Sequence, residues 1–160
     1  MKILVSACLL GHRCKYNGGD NYSETVAALA QRHQLLPVCP ELAGGLSVPR
    51  HPCEIVRGTV MNDRGENVDG AFRRGAAICL QKALDEKIDL AILQSRSPSC
   101  GVKQIYDGTF SGTLIQGSGV FAQLLREHGI PAADVSDAEE ALAERRKGHE
   151  SQADQADKEI

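Results

Sequence analysis

The stretch DLAILQSRSPSCG, residues 89–101, begins as a continuous apolar run and ends in a loop of Ser, Pro, Cys and Gly. A strand with one face in water alternates apolar and polar residues, whereas a continuous run indicates a strand that is covered on both faces. KILVSA at 2–7 and HQLLPVC at 33–39 have the same character, and IPAADV at 130–135 is a shorter candidate. These runs predict a buried, mostly parallel sheet.

Helical patterns separate the apolar runs. Residues 21–33 start with Asn21 and Glu24 at capping-box spacing, which predicts a helix there. Residues 69–87 form a second predicted helix, whose apolar face consists of Phe72, Ala76, Cys79, Leu80, Ala83 and Leu84. Strands that alternate with helices of this length imply right-handed crossovers. We therefore predict the α/β class, with a single Rossmann-like domain and a mostly parallel sheet flanked by helices.

Smaller elements complete the predicted domain. EIVRGTVMNDRGENV, residues 54–68, has two short β-like runs around NDRG and predicts a small inserted β-hairpin. Residues 106–119 are rich in Gly and Ser, and an amphipathic helix follows from Val120 and ends at Gly129. Ser136 and Glu139 have capping-box spacing and predict a last helix that ends near Lys147. We assign the domain to residues 1–147 and predict a polar, disordered tail at 148–160.

Composition narrows the classes of partner. The net charge of −3 and the lack of a Lys/Arg cluster argue against nucleic-acid binding, and no apolar run approaches the length of a membrane span. Only five residues separate Lys2 from Cys8, whereas the apolar segment of an export signal needs roughly 7 to 15. We therefore expect a small soluble partner and a reducing cytoplasm. There, the six cysteines are better explained as metal ligands or reactive thiols than as disulfides.

Three of the cysteines follow the ends of predicted strands. Cys8, Cys39 and Cys100 come after the first, second and third apolar runs. Ligands of an open α/β sheet bind beyond the carboxyl ends of its strands, so we expect these thiols to converge at one edge. Neither G-x-G-x-x-G after the first strand nor G-x-x-x-x-G-K-[ST] is present, which leaves dinucleotide and P-loop interpretations without support.

Three thiolates with one vacant position suit an iron–sulfur cluster with an open iron, or a catalytic zinc. The absence of C-x-x-C makes a structural zinc site with paired knuckles a poor alternative. Buried cysteines that only fill space are the other alternative, and it is preferred for Cys79 on its apolar helix face. The roles of Cys14 and Cys53 stay open.

Acid–base groups are expected beside such a centre. Glu41 lies two residues after Cys39, and Ser97 lies three before Cys100, so both side chains are candidates for the same crevice. Taken alone, each also fits an exposed carboxylate or a turn residue. Arg50 lies in a loop rich in Gly and Pro and could bind an anionic atom or face solvent. The five histidines show no metal-ligand spacing.

Four ordered motifs carry a resemblance to a known family: VSACLLGHRCKYNGG (5–19), VCPELAGGLSVPR (38–50), SRSPSCG (95–101) and IYDGTFSG (105–112). Together they resemble the thiouracil desulfurase (TudS) family, in its short single-domain type, over the chain to about Val135. The resemblance implies a 4Fe–4S cluster held by Cys8, Cys39 and Cys100, with one iron not ligated by protein. It also implies Glu41 and Ser97 as the catalytic carboxylate and serine.

The implied reaction is non-redox, iron–sulfur-dependent removal of sulfur from 2-thiouracil or a related thiolated base, which releases uracil and sulfide. Two positions depart from the family pattern: Asn17 stands where Asp is usual, and Cys53 stands where a residue without a thiol is usual. Two other functions stay open. One is an iron-free sulfur-transfer enzyme with a persulfide on Cys100, and the other is a non-enzymatic metal-binding or redox-sensing module.

Overall fold

The structure, a computed structural model, describes the backbone of residues 1–158 and the side chains of residues 1–148. Its strands are β1 (Lys2–Ser6), β2 (Gln34–Val38), β3 (Cys53–Val56), β4 (Thr59–Asn62), β5 (Leu90–Leu93), β6 (Gln104–Tyr106), β7 (Leu114–Gln116) and β8 (Ala132–Asp134). Its α-helices are α1 (Glu24–Ala28), α2 (Pro40–Ala43), α3 (Asp69–Asp85), α4 (Val120–Glu127) and α5 (Ala138–Lys158). Short 3-10 turns cover Ala7–Leu10, Leu29–Gln31 and Val135–Asp137. Within the described residues, no helix is both long and apolar enough to cross a membrane.

The central sheet is parallel throughout, and its strand order in residues 1–158 is β2-β1-β5-β8. Leu4 of β1 pairs with Leu36 of β2 on one side and with Ala91 of β5 on the other. Two antiparallel hairpins, β3–β4 and β6–β7, lie outside this sheet. The predicted fold class, a mostly parallel sheet flanked by helices with an inserted hairpin, is confirmed.

Both faces of the sheet are covered, which explains why the strands read as continuous apolar runs. Successive side chains of a strand point to opposite faces, so neighbours in β1 enter different cores. The core on one face contains Ile3, Val5, Ile92, Val26 of α1 and Leu142 of α5. The core on the other face contains Leu4, Leu93, Phe72 of α3 and Phe121 of α4.

Helices α2 and α3 approach each other through glycines. A Cβ atom on Gly75 would lie 1.7 Å from the carbonyl oxygen of Pro40, and one on Gly44 would lie 2.0 Å from that of Ala71. Both distances are far below any non-bonded contact, so the approach of the two backbones requires glycine at both positions. The contact also places the start of α2, which carries Glu41.

Replacing Gly75 with alanine is expected to lower the free energy of unfolding by about 1–3 kcal/mol, because the new methyl group forces α2 away from α3. Gly70 is the matched control in the same helix, since a Cβ there meets nothing within 4 Å. Gly70→Ala should instead raise the free energy of unfolding by about 0.5–1 kcal/mol, because alanine favours the helix. Urea unfolding of both variants measures the difference, and equal shifts in one direction would contradict the close contact.

The first predicted helix is shorter than expected and has a different cap. Helix α1 begins at Glu24, and the hydroxyl of Ser23 accepts the N–H of Val26 at 3.2 Å. Asn21 therefore does not cap this helix, and its side-chain amide points instead to the sulfur of Cys8, at 3.5 Å. The second predicted helix is found as α3, but Leu84 is 43% exposed and does not belong to its buried face.

The inserted hairpin is present, but its turn lies earlier than predicted. Strands β3 and β4 join through Arg57 and Gly58, which have φ values of 50° and 82°. Positive φ at both central residues is the geometry of a two-residue type I′ turn. NDRG closes a separate turn after β4, in which Oδ1 of Asn62 accepts the N–H groups of Arg64 and Glu66.

A second hairpin, β6–β7, occupies residues that the sequence indicated only as rich in Gly and Ser. Its strands have three residues each, which is too short to show an alternating pattern. The tip docks on β3, where Oε1 of Glu54 accepts the N–H groups of Gly108 at 3.0 Å and Phe110 at 3.1 Å. A tertiary contact therefore stabilises this hairpin.

The last helix also differs from its prediction. It begins at Ala138 rather than Ser136, because the carboxylate of Asp134 accepts the N–H of Ser136 at 2.9 Å and starts a 3-10 turn. Helix α5 continues past Lys147 to Lys158. Side chains from residue 149 onward and residues 159–160 lie outside the described part of the chain. The domain boundary at 147 and the disordered tail stay predictions.

Candidate active site

Cys8, Cys39 and Cys100 follow the carboxyl ends of three adjacent strands. Cys8 lies in the 3-10 turn after β1, Cys39 lies between β2 and α2, and Cys100 lies in the loop after β5. Strand β1 is hydrogen-bonded to both β2 and β5, so the three strand ends are neighbours. All three residues line one cavity of about 530 Å³. The structure therefore brings together the three cysteines that the strand pattern singled out.

Cys8 and Cys39 share a hydrogen-bond donor. Hydrogen bonding with the thiol of Cys14 lowers the pKa of each to about 7, although burial acts in the opposite direction. The side-chain amide of Asn21 adds a second donor to Cys8. The hydrogen bonds to Cys39 and Cys8 raise the pKa of Cys14 far above that of an ordinary thiol, so Cys14 keeps its proton. Cys8 and Cys39 are thereby held close to the thiolate form that binds metal.

Cys100 is the most enclosed of the three. It is only 5% exposed, and burial raises the pKa of its thiol. The hydroxyl of Ser99 lies 3.8 Å from its sulfur. A thiol in this environment is neutral by itself and loses its proton when it coordinates a metal.

The remaining cysteines have other surroundings. Cys53 lines the same cavity, but burial raises its pKa to about 11, and its thiol donates to the carbonyl of His51 at 3.3 Å. Cys79 lies fully buried in the core of α3, in agreement with its predicted role. The described residues contain no group of three or more His, Cys, Asp or Glu side chains spaced to hold a single metal ion. An iron–sulfur cluster is held by cysteine thiolates, and the donor chemistry of Cys8, Cys39 and Cys100 fits that group.

Glu41 enters the cavity from the first turn of α2 and is held by Arg50. Both Nε and Nη2 of Arg50 lie 3.2 Å from Oε1 of Glu41. Nη2 also donates to the carbonyl of Cys14 at 2.8 Å, and the backbone N–H of Arg50 donates to the carbonyl of Tyr16 at 2.8 Å. The side chains of Glu41 and Arg50 are 16% and 7% exposed. Arg50 therefore ties the loop of Cys14 to the carboxylate and does not face solvent.

Ser97 lies on the other side of this carboxylate, with Ser99 between them. The Ser97 hydroxyl oxygen accepts the backbone N–H groups of Ser99 at 3.1 Å and Cys100 at 3.0 Å. It also lies 2.9 Å from the hydroxyl of Ser99, which in turn donates to Oε2 of Glu41 at 2.9 Å. Ser97 and Glu41 thus belong to one hydrogen-bond chain.

The rest of the cavity wall offers flat and polar surfaces. Tyr16 and Tyr106 contribute aromatic rings, and Gln94 and Arg96 contribute polar groups. Arg96 has a φ of 65°, a left-handed conformation that is costly for a residue with a side chain. A wall with aromatic faces and a few polar groups suits a small planar heterocycle.

Sequence reasoning found five of these side chains and missed Ser99. The structure places Cys8, Cys39, Cys100, Glu41 and Ser97 on one cavity. Ser99 could have been predicted from the sequence, since it directly precedes Cys100 and is a second serine in the same motif as Ser97. Asn17, the departure from the family pattern, accepts the N–H of Gly19 at 2.9 Å in a local turn.

Comparison with known proteins gives consistent matches over most of the chain. A sequence model of the 2-thiouracil desulfurase family matches residues 3–137. The uncharacterized protein YbbK of Bacillus subtilis (strain 168) is 40% identical over 150 residues, which cover 88% of this chain and 99% of YbbK. The solved structure of the [4Fe-4S]-dependent thiouracil desulfidase TudS is similar, with a TM-score of 0.84 and 41% identity, over 89% of this chain and 96% of that one.

These matches agree with the arrangement of the site. The family match begins in β1 and ends after β8, so it includes every strand that positions the cavity. The similarity to TudS covers 89% of the chain at 41% identity, which is well above the level at which only the fold is shared. The chain therefore belongs to the 2-thiouracil desulfurase family.

Proposed function

We propose that the protein removes sulfur from 2-thiouracil or a related thiolated base in a non-redox reaction that depends on a 4Fe–4S cluster. Cys8, Cys39 and Cys100 would hold the cluster, with one iron not ligated by protein. The observation that carries the proposal is that these thiols share one cavity with Glu41 and Ser97, in a chain of the desulfurase family. The similar TudS structure is described as 4Fe–4S-dependent.

When bound, a cluster with an open iron would supply a Lewis acid for the soft thione sulfur of the base. The protein supplies the acid–base groups. Glu41 accepts a proton from the attacking water, and Arg50 keeps the carboxylate oriented towards the cavity through its contacts with Oε1. Ser97 donates a hydrogen bond as the carbon–sulfur bond breaks. Water thus supplies the oxygen of uracil and the protons of the released sulfide, so no electron donor is needed.

The environment of Cys100 argues against the alternative function, an iron-free sulfur-transfer enzyme with a persulfide on Cys100. A cysteine that attacks sulfur and carries a persulfide needs an accessible thiol with a lowered pKa. Cys100 is 5% exposed, and burial raises its pKa. The geometry therefore favours a ligand role over a nucleophilic role.

We also propose that the natural partner is a small thiolated base, with no nucleic acid or membrane involved, and that the protein works in the cytoplasm. The cavity of about 530 Å³ is of the size used for small molecules. The six cysteines are free thiols, and thiols stay reduced in the cytoplasm. A cluster with one iron not ligated by protein would also need such a reducing compartment.

Purification without oxygen, followed by an assay for uracil, tests the proposed function. Iron and acid-labile sulfide are measured in the purified protein, and uracil release from 2-thiouracil is followed by chromatography. We expect about four iron and four sulfide per active chain, with uracil and sulfide formed in equal amounts. Iron-free protein with full activity would overturn the cluster assignment, and cluster-loaded protein without uracil formation would overturn the reaction.

A further inference from the structure

Ser99 is buried between the two residues that the proposed reaction uses as acid and base. It is 1% exposed, and its hydroxyl lies 2.9 Å from Oε2 of Glu41 and 2.9 Å from the hydroxyl of Ser97. The sulfur of Cys100 lies farther away, at 3.8 Å. Ser99 therefore connects Glu41 to Ser97 in the resting protein.

The direction of the hydrogen bonds follows from counting protons. The Ser99 hydroxyl donates to Oε2 of Glu41, whose other oxygen is paired with the guanidinium of Arg50, so the single hydroxyl proton of Ser99 points to Oε2. The contact between the two serines must then be donated by Ser97. The O–H of Ser97 can donate this bond, because the two lone pairs of its oxygen accept the N–H groups of Ser99 and Cys100. The resting chain runs from Ser97 through Ser99 to Glu41.

The lone pairs of Glu41 that are still unoccupied can be located in the same way. A carboxylate has about four lone-pair positions, two on each oxygen. Both donors of Arg50 point to Oε1, and Ser99 uses one position on Oε2. The remaining position for a water molecule is on Oε2, so the oxygen that takes the proton from water is also the oxygen that contacts Ser99.

We propose that Ser99 is a positioning residue through which Glu41 and Ser97 exchange a proton during desulfuration. The inference rests on the proposed function. As water attacks the thione carbon, its O–H bond breaks, a carbon–oxygen bond forms and Oε2 of Glu41 takes the proton. Ser97 then turns its O–H to the leaving sulfur and gives up that proton. The electron pair left on its oxygen takes the proton of Ser99, and Ser99 takes the proton held by Oε2 of Glu41.

The sequence of steps balances without a redox partner. After the first proton has reached sulfur, Oε2 removes the second proton of the former water, the carbonyl forms and the carbon–sulfur bond breaks with its electron pair on sulfur. The products are uracil and hydrosulfide, and the proton left on Glu41 returns to solvent or to hydrosulfide. Ser99 ends each cycle in its resting orientation.

The test compares Ser99→Ala with Ser99→Thr in protein loaded with its cluster under anaerobic conditions. Single-turnover formation of uracil is measured so that product release does not enter the rate. We expect Ser99→Ala to form uracil about 100-fold more slowly than the wild type. Ser99→Thr keeps the hydroxyl and should be at least about tenfold faster than Ser99→Ala. Iron and sulfide content and the dissociation constant for 2-thiouracil should stay within about threefold of the wild-type values.

Ser118→Ala is the matched control, because Ser118 is a half-buried serine whose hydroxyl donates to the carbonyl of Val102 outside this chain of hydrogen bonds. It should keep the wild-type rate. Wild-type rates should also fall by more than about twofold in deuterium oxide, since several protons move together. An isotope effect near one, a Ser99→Ala rate close to wild type, or a Ser99→Thr rate as low as that of Ser99→Ala would each overturn the relay.

The same preparations separate this inference from the proposed function. Cluster-loaded wild-type protein that forms no uracil would overturn both. Active wild-type protein together with an equally active Ser99→Ala variant would overturn the relay alone. If Ser99→Ala does not retain iron, the Ser99→Thr rate and the wild-type isotope effect decide the question.

Discussion

Replacing Cys100 with alanine is expected to remove the cluster and with it all measurable uracil formation. Only two of the three thiolates that the proposal assigns to the cluster would remain, and the methyl group of alanine supplies no ligand atom in place of the third. Cys8→Ala and Cys39→Ala should give the same result. Iron and acid-labile sulfide per chain, measured after anaerobic reconstitution, provide the readout, and circular dichroism shows whether the fold is retained.

Cys79→Ala is the matched control for this prediction. Cys79 is as deeply buried as Cys100, but it packs in the core of α3 and not on the cavity. Its replacement should cost about 1–2 kcal/mol of stability and leave the iron content unchanged. Cys53→Ala, which removes a thiol that does line the cavity, should also keep the cluster. A Cys100→Ala variant with wild-type iron content would contradict the ligand assignment.

Glu41→Gln is expected to slow uracil formation by roughly 100- to 10,000-fold while the cluster stays bound, because the amide cannot take a proton from water. The substitution keeps the size of the side chain and the contact with Ser99. It also leaves the guanidinium of Arg50, which is 7% exposed, without its charged partner. Loss of one member of a buried pair is costly, so we expect stability to fall by about 3 kcal/mol as well.

The measurement therefore has to separate rate from folding. Single-turnover rates are taken well below the thermal midpoint of the variant and divided by its iron content. Glu66→Gln, at an exposed carboxylate of the turn after β4, is the control and should match the wild-type rate. A Glu41→Gln rate within a few-fold of wild type, with normal iron content, would show that Glu41 is not the base.

The predicted parts of the fold were those for which local pattern and burial agree. Continuous apolar runs identified β1, β2 and β5, because a strand covered on both faces has no polar side. Helix α3 was found because its length allows the apolar period to be seen. Hairpin β6–β7 was missed because strands of three residues are too short to show a period. Its tip also depends on Glu54, which lies 54 positions before Gly108 and 56 before Phe110.

The sequence by itself determined that Cys8, Cys39 and Cys100 converge, since parallel strands of one sheet end at one edge whatever the details of packing. Only the tertiary structure decided which side chains surround them. The contact of Ser99 with Glu41 joins residues 58 positions apart, and that of Arg50 with the Cys14 carbonyl joins residues 36 positions apart. Such contacts depend on how loops pack over a strand end, and hydrophobic periodicity carries no information about that packing.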